Sequence, residues 1–154
     1  MKYLVNKKNK KIFNGIIPRY KKSLITCYPG TSITGQSPAI KFPLQQISTI
    51  IGNQLTLSSG SIKIGQNVHH VLVSAKCTDS SDSRSSRTLY IYKNDEIVCR
   101  SLLSIANQFQ CSLALPPYLI PVTEGDLISI YVEGIGVSFS GSKNLTYLTV
   151  DVVD

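Results

Sequence analysis

The chain has 154 residues, enough for one domain with an appendage. Its hydrophobic share of 42% excludes a disordered chain, and its longest apolar runs, such as residues 127–132, fall far short of the roughly 18–20 residues of a membrane-crossing helix. The net charge of +7 is unevenly placed: residues 1–42 hold nine basic side chains and no acid, so the remainder is slightly acidic.

Met1–Val5 is followed at once by Asn6-Lys7-Lys8-Asn9-Lys10-Lys11, with no apolar run and no small-residue cleavage site of an export signal. The reading is therefore of a protein made in the cytoplasm. Residues 1–27 read as a basic arm: a small hairpin (YLV–NKKNKK–IFNGI), then the patch Arg19-Tyr20-Lys21-Lys22. An isolated hairpin is marginal in water, so the arm orders only against the body or a partner. Its apolar residues Leu4, Val5, Ile12, Phe13, Ile16 and Ile17 argue for such a contact. We expect Lys7, Lys8, Lys10, Lys11, Phe13, Arg19, Tyr20, Lys21 and Lys22 to anchor the chain on an acidic protein surface. Tyr3, Phe13, Tyr20 and Tyr28 among lysines also match single-strand nucleic-acid binders, but the acidic body offers no matching stripe, which disfavours nucleic acid.

Residues 28–42, YPGTSITGQSPAIKF, combine Pro29, Gly30, Gly35 and Pro38 with Ser and Thr and read as a linker. From residue 43 to 154 the pattern is strand after strand. Leu55 and Leu57, then Ile62 and Ile64 across a Ser-Ser-Gly turn, alternate with polar residues. Val71, Val73, Ala75 and Cys77 share one face of the next strand, which the polar loop Thr78–Ser86 ends. RTLYIYK sets Leu89 and Ile91 opposite Tyr90 and Tyr92, and Lys93-Asn94-Asp95-Glu96 turns it into IVCRSLL. Phe109, Cys111, Leu113 and Leu115 lead into a Pro-Pro-containing crossing, and Glu124-Gly125-Asp126 turns into a strand with Ile128, Ile130 and Val132 in phase. A connection over 134–141 with a short strand precedes the last strand, with Leu148, Val150 and Val152 in phase. Eight to ten short strands without a helical period predict an all-β sandwich.

Opposite the core positions, three strands offer Val68, His70 and Leu72, then Leu127 and Tyr131, then Tyr147 and Thr149. A free sandwich carries charge there, so these residues are expected to meet another subunit.

Sites for chemistry are scarce. Cys27, Cys77, Cys99 and Cys111 form no CxxC and have no His at zinc-like spacing; Cys77 and Cys111 fall in apolar phase and read as buried free thiols. His69 and His70 are adjacent in a strand and point to opposite faces, so the pair cannot hold one ion. Asp79 and Asp82 offer clustered oxygens for calcium, against which a solvated loop is the stronger reading. No nucleophile or phosphate-binding motif is present, and Glu124 and Asp126 read as turn-builders around Gly125. No catalytic residue, cofactor or metal ligand is therefore assigned.

The series VHHVLVSAKC, RTLYIYKNDEIV, FQCSLALPPYLIPVTEGDLISIYVEG and TYLTVDVV resembles the later two-thirds of a tumour-necrosis-factor (TNF)-like, complement globular-head jelly roll. The most specific piece is Thr123-Glu124-Gly125-Asp126-Leu127-Ile128. More narrowly, the order LTLSxGxIKIGxxVxxVLVSA, LYIYKN, LALPPxLIxVxEGDxIxxYV and YLTVxVV is similar to small jelly-roll modules of tailed bacteriophages, found as head fibres, decoration proteins or fibre and baseplate tips. The resemblance covers about residues 50–154; the family does not fix the length of the polar loop Thr78–Ser86, and residues 1–42 belong to no part of the jelly roll. It implies a homotrimer with termini at one end and variable loops at the other. The expected protein is a non-enzymatic virion component, a trimeric head fibre or capsid decoration protein whose arm docks on a capsid or other virion protein. The competing expectation is a receptor-binding fibre tip that recognises host-surface glycans.

Overall fold

The computed structural model describes residues 22–79, 85–103 and 111–154, and within them every regular element is a strand. One sheet has five strands in the order β10 (Ser112–Pro121), β7 (His70–Thr78), β13 (Tyr147–Val152), β1 (Leu24–Tyr28) and β4 (Gln46–Ile51). The second runs β5 (Leu55–Ser58), β6 (Ser61–Ile64), β11 (Leu127–Glu133), β8 (Arg87–Lys93) and β9 (Glu96–Leu103), with β3 (Ile40–Lys41) also on β11. A small ribbon pairs β2 (Ile33–Thr34) with β12 (Ser138–Phe139). All pairings are antiparallel, and from β7 onward the chain passes back and forth between the two sheets. That crossing pattern makes a jelly-roll sandwich.

The alternation read in the sequence is the alternation that fills the core. Val71, Val73, Ala75 and Cys77 of β7 and Leu148, Val150 and Val152 of β13 face inward from the first sheet. Leu89 and Ile91 of β8 and Ile128, Ile130 and Val132 of β11 face them from the second. With a side-chain period of two, burying one face fixes the register of each strand, because a one-residue slip would bring the polar set inside.

Three expectations are corrected. Residues 28–42 are not a linker and the arm does not extend to residue 27. Leu24–Tyr28 is an inner strand between β13 and β4, with Ile25 and Cys27 in the core. Phe42 is fully buried, and β2 and β3 are stitched to β12 and β11. The Pro and Gly residues mark turns of a segment woven into the sandwich. Ser23 is itself buried and accepts a hydrogen bond from the Val152 amide at 2.8 Å.

Second, Pro116-Pro117 does not make a crossing. β10 continues through both prolines, with a register shift between Leu115 and Tyr118. Proline lacks an N–H, and β10 is an edge strand where that donor is not needed. The crossing between sheets comes later, through Val122–Asp126, so β10 and β11 lie in different sheets and do not pair with each other.

Third, Val68 is a core residue, 1% exposed. β7 starts only at His70, and Asn67 at φ 58° bends the chain just before Val68. The strand's alternation therefore does not extend back to Val68, which turns inward where extrapolation places it outward.

Asp79 and Arg87 form an ion pair that is essentially fully buried, at 1% and 0% exposure. Arg87 Nη1 also donates to Ser85 O at 2.8 Å, and the Asp79 amide donates to Cys111 O at 2.9 Å. The pair thus joins the end of β7 to the start of β8.

Candidate functional site

The outer face of the five-stranded sheet has few charges. Cross-strand neighbours form a row of Ile51, Leu24, Asp151, Leu72 and Leu119, and a second of Thr49, Thr26, Thr149 and Ser74. Thr26 and Thr149 share a hydroxyl hydrogen bond of 2.9 Å. Tyr147 and Lys76 oppose each other in the next row. Leu119 is half-exposed, as is Ile51 of the edge strand β4, while Ile47 and Ile50, paired with the core residues Cys27 and Ile25, are open on the other side of that strand. Inside this surface sits one carboxylate, Asp151, whose Oδ1 is buried with no hydrogen-bond partner among the described residues. A buried acceptor left unmet is costly, so the face has both apolar area and a polar demand that another molecule can satisfy.

His70, Leu72, Tyr147 and Thr149 all lie on or at the border of this face. Leu127 and Tyr131 do not. They belong to the outer face of the other sheet, where Tyr131 stacks on Tyr92 with ring centroids 4.1 Å apart. The expected contact set is thus split between two sides of the sandwich, and Val68 lies between them in the core. Extrapolating alternation along each strand cannot show this split, because it depends on which strands share a sheet.

On that second outer face lies a cavity of about 520 Å³, lined among others by Ser37, Tyr90, Arg100, Leu102, Glu133 and Ile135. Tyr90 Oη donates to Glu133 Oε2 at 2.7 Å and Ser37 Oγ to Glu133 Oε1 at 2.7 Å. These two bonds hold the Glu133 carboxyl below its ordinary range, while the bond to Glu133, with burial, raises the Tyr90 phenol. Both shifts keep the proton on the tyrosine. Arg100 lies directly opposite Tyr90 across the β8–β9 pair and is exposed, as are Leu102 and Ile135. None of this was singled out in the sequence, since Ser37, Tyr90 and Glu133 are brought together only by pairing β8 with β11 and wrapping residues 34–37 beside them. The one signal was Tyr90, an aromatic with a hydroxyl on the face opposite the core.

Of the anchoring residues, Lys7, Lys8, Lys10, Lys11, Phe13, Arg19, Tyr20 and Lys21 lie outside the described residues; Lys22 is described and exposed. Asp79 is committed to its buried pair with Arg87, which removes it from any calcium site, and Asp82 lies outside the described residues. Among the described residues no three His, Cys, Asp or Glu side chains converge as metal ligands, and no helix is long and apolar enough to cross a membrane. Cys77 and Cys111 are buried free thiols. His69 and His70 are exposed and both meet Asp154: the His69 amide donates to Oδ2, and His70 Nδ1 lies 3.2 Å from Oδ1. Asp126 accepts from the Thr123 amide at 2.9 Å and so builds its turn, with Gly125 at φ 91°.

No protein-family model matches the chain, and no curated protein matches it in sequence. Solved structures do match in fold. Murine APRIL superposes with a TM-score of 0.68 at 14% identity, over 86% of this chain and 100% of that one. The PRD1 vertex protein P5 gives 0.62 at 13% identity, over 86% and 96%. Eiger TNF from S. frugiperda gives 0.60 at 8% identity, over 86% and 92%. Together with the two packed antiparallel sheets, these likenesses identify the fold as a TNF-like jelly-roll sandwich.

Proposed function

We propose that the chain is a non-enzymatic structural subunit of a phage virion, a homotrimeric head fibre or decoration protein. The observation that carries self-association is the outer face of the five-stranded sheet: open apolar side chains around the unmet Asp151 oxygen. Packing a second copy there removes Leu72, Leu119 and Tyr147 from water and brings donors to the carboxylate. The likeness to the PRD1 vertex protein P5 supports a virion setting. The basic segment ahead of β1 then serves as the anchor to an acidic virion protein. Three copies multiply weak arm contacts into avidity, which requires no single strong contact.

Sedimentation of the full chain at micromolar concentration tests the first part; a species of about three times 16.9 kDa is expected, and a monomer refutes it. Removal of residues 1–21, which leaves β1 whole, tests the anchor: particle association is expected to disappear while the trimer persists. Association that survives the deletion ends that assignment.

A further inference from the structure

We propose that the cavity beside Glu133 and Arg100 binds a neutral saccharide, held through a pair of adjacent hydroxyls. The volume of about 520 Å³ lies within the roughly 300–1,000 Å³ typical of small-ligand sites. Its polar groups define what can enter. Glu133 already takes one hydrogen bond on each oxygen, from Tyr90 and from Ser37, which fixes the carboxylate and leaves further acceptor sites on both oxygens. An ionised carboxylate only accepts, so the ligand must bring donors. Arg100 only donates, so the ligand must also bring acceptors.

Adjacent sugar hydroxyls supply both functions from neighbouring atoms. A free cation would gain from Glu133 and be repelled by Arg100, and an anion would meet the reverse. Among the described residues the lining carries one charge of each sign, which favours a ligand without net charge. The exposed Leu102 and Ile135 side chains add apolar area suited to the C–H face of a pyranose ring. Tyr90 is rigidly placed: it is 9% exposed, packs edge-on to Tyr92 at 6.1 Å, and is bonded to Glu133. A pre-positioned polar pair on a rigid strand floor loses little entropy on binding.

The position fits a ligand arriving from outside. The cavity lies on the sheet opposite the proposed subunit contact, at the end of the sandwich remote from Ser23, His70 and Asp154. The inference does not depend on self-association, since a monomer keeps the cavity, and either reading can fail alone.

The test is saturation-transfer NMR and calorimetric titration of the full chain with methyl glycosides of glucose, galactose, mannose and N-acetylglucosamine, beside glucuronic and sialic acids. Binding of at least one neutral glycoside is expected, weakened about tenfold or more by Arg100→Ala and by Glu133→Gln, and unchanged by Leu72→Glu on the opposite sheet. Arg100 is exposed, so its replacement leaves the fold intact and decides the matter should Glu133→Gln unfold. No neutral glycoside bound at concentrations on the order of 10 mM, binding indifferent to Arg100→Ala, or binding of the acidic sugars alone overturns the proposal.

Discussion

Asn94 and Asp126 bind each other across two turns: Asn94 Nδ2 donates to Asp126 Oδ1 at 3.0 Å, 32 positions away in the chain. Asn94 Oδ1 also accepts from the Leu127 amide at 3.0 Å, and the Asn94 amide donates to Leu127 O at 2.8 Å. One side chain thereby ties the β8–β9 hairpin to the turn that leads into β11. Asn94 stands at φ 56°, a conformation that asparagine tolerates and alanine resists. Asn94→Ala is expected to lower stability by about 1–3 kcal/mol, from lost side-chain bonds and backbone strain together. Asn94→Gly, which loses the bonds without the strain, should cost less; equal midpoints in chemical denaturation contradict this account.

Acid should weaken the same junction. Burial pushes the Asp126 carboxyl up, but the Asn94 bond, the Thr123 amide and the Lys93 charge together hold it below its ordinary value. Glu133 is held low as well, by Tyr90 first and Ser37 second. For a carboxylate depressed in the folded state, the stabilisation is present above the unfolded value and is lost as pH falls through the folded one. Unfolding midpoints measured downward from neutral pH should decline through and below the ordinary carboxylate range. Asp126→Asn should flatten that decline, and an unchanged slope would show that this carboxylate does not contribute.

The Asp79–Arg87 pair responds differently from a surface bridge. Both groups are buried, so removing one partner strands the other charge. Arg87→Met is expected to cost about 3–5 kcal/mol, while Arg87→Met combined with Asp79→Leu should recover part of the loss. A double-mutant cycle in urea gives the answer; additive losses would mean that the pair is not coupled.

Val68 and Leu72 separate folding from association. Val68 lies in the core, so Val68→Ala should lower stability by about 2 kcal/mol and leave the sedimenting species unchanged. Leu72 lies on the outer face, so Leu72→Glu should dissociate the assembly while the melting of the monomer is little altered. Assembly that survives Leu72→Glu places the contact elsewhere.

Burial governs the thiols. It pushes Cys27 up to about 11 and Cys77 up to about 12, and raises Cys99 as well. Alkylation of Cys27 and Cys77 at about pH 8 should therefore be slow in the folded protein and rapid in denaturant, with peptide mass spectrometry reading the sites. Fast labelling of both in the folded state would show that the core opens readily.

The strands most legible in the sequence were those buried on one face over at least six residues. In β7 and β13, Val71–Cys77 and Leu148–Val152 carry the period of two without interruption; in β8 and β11 the inward residues Leu89, Ile91, Ile128, Ile130 and Val132 keep it, although Tyr90 and Ser129 between them are buried as well. β1 was not legible, because its five residues follow a basic stretch and only Ile25 and Cys27 mark its inner face. β2 and β3 are two residues each, too short for any period. The cavity escaped for a different reason. Glu133 reads as a strand-end acid, and only sheet pairing reveals the tyrosine that donates to it.

The prolines of β10 also determine how the five-stranded sheet can grow. On that border two consecutive residues carry no N–H, and the ladder is already out of step there, so an incoming strand finds no continuous template. The opposite border is β4, six exposed residues including Ile47, Ile50 and Ile51 and no proline. Extension by strand addition, whether in assembly or in aggregation, is therefore one-sided, and β4 is the border at which a lysine or a proline would suppress it.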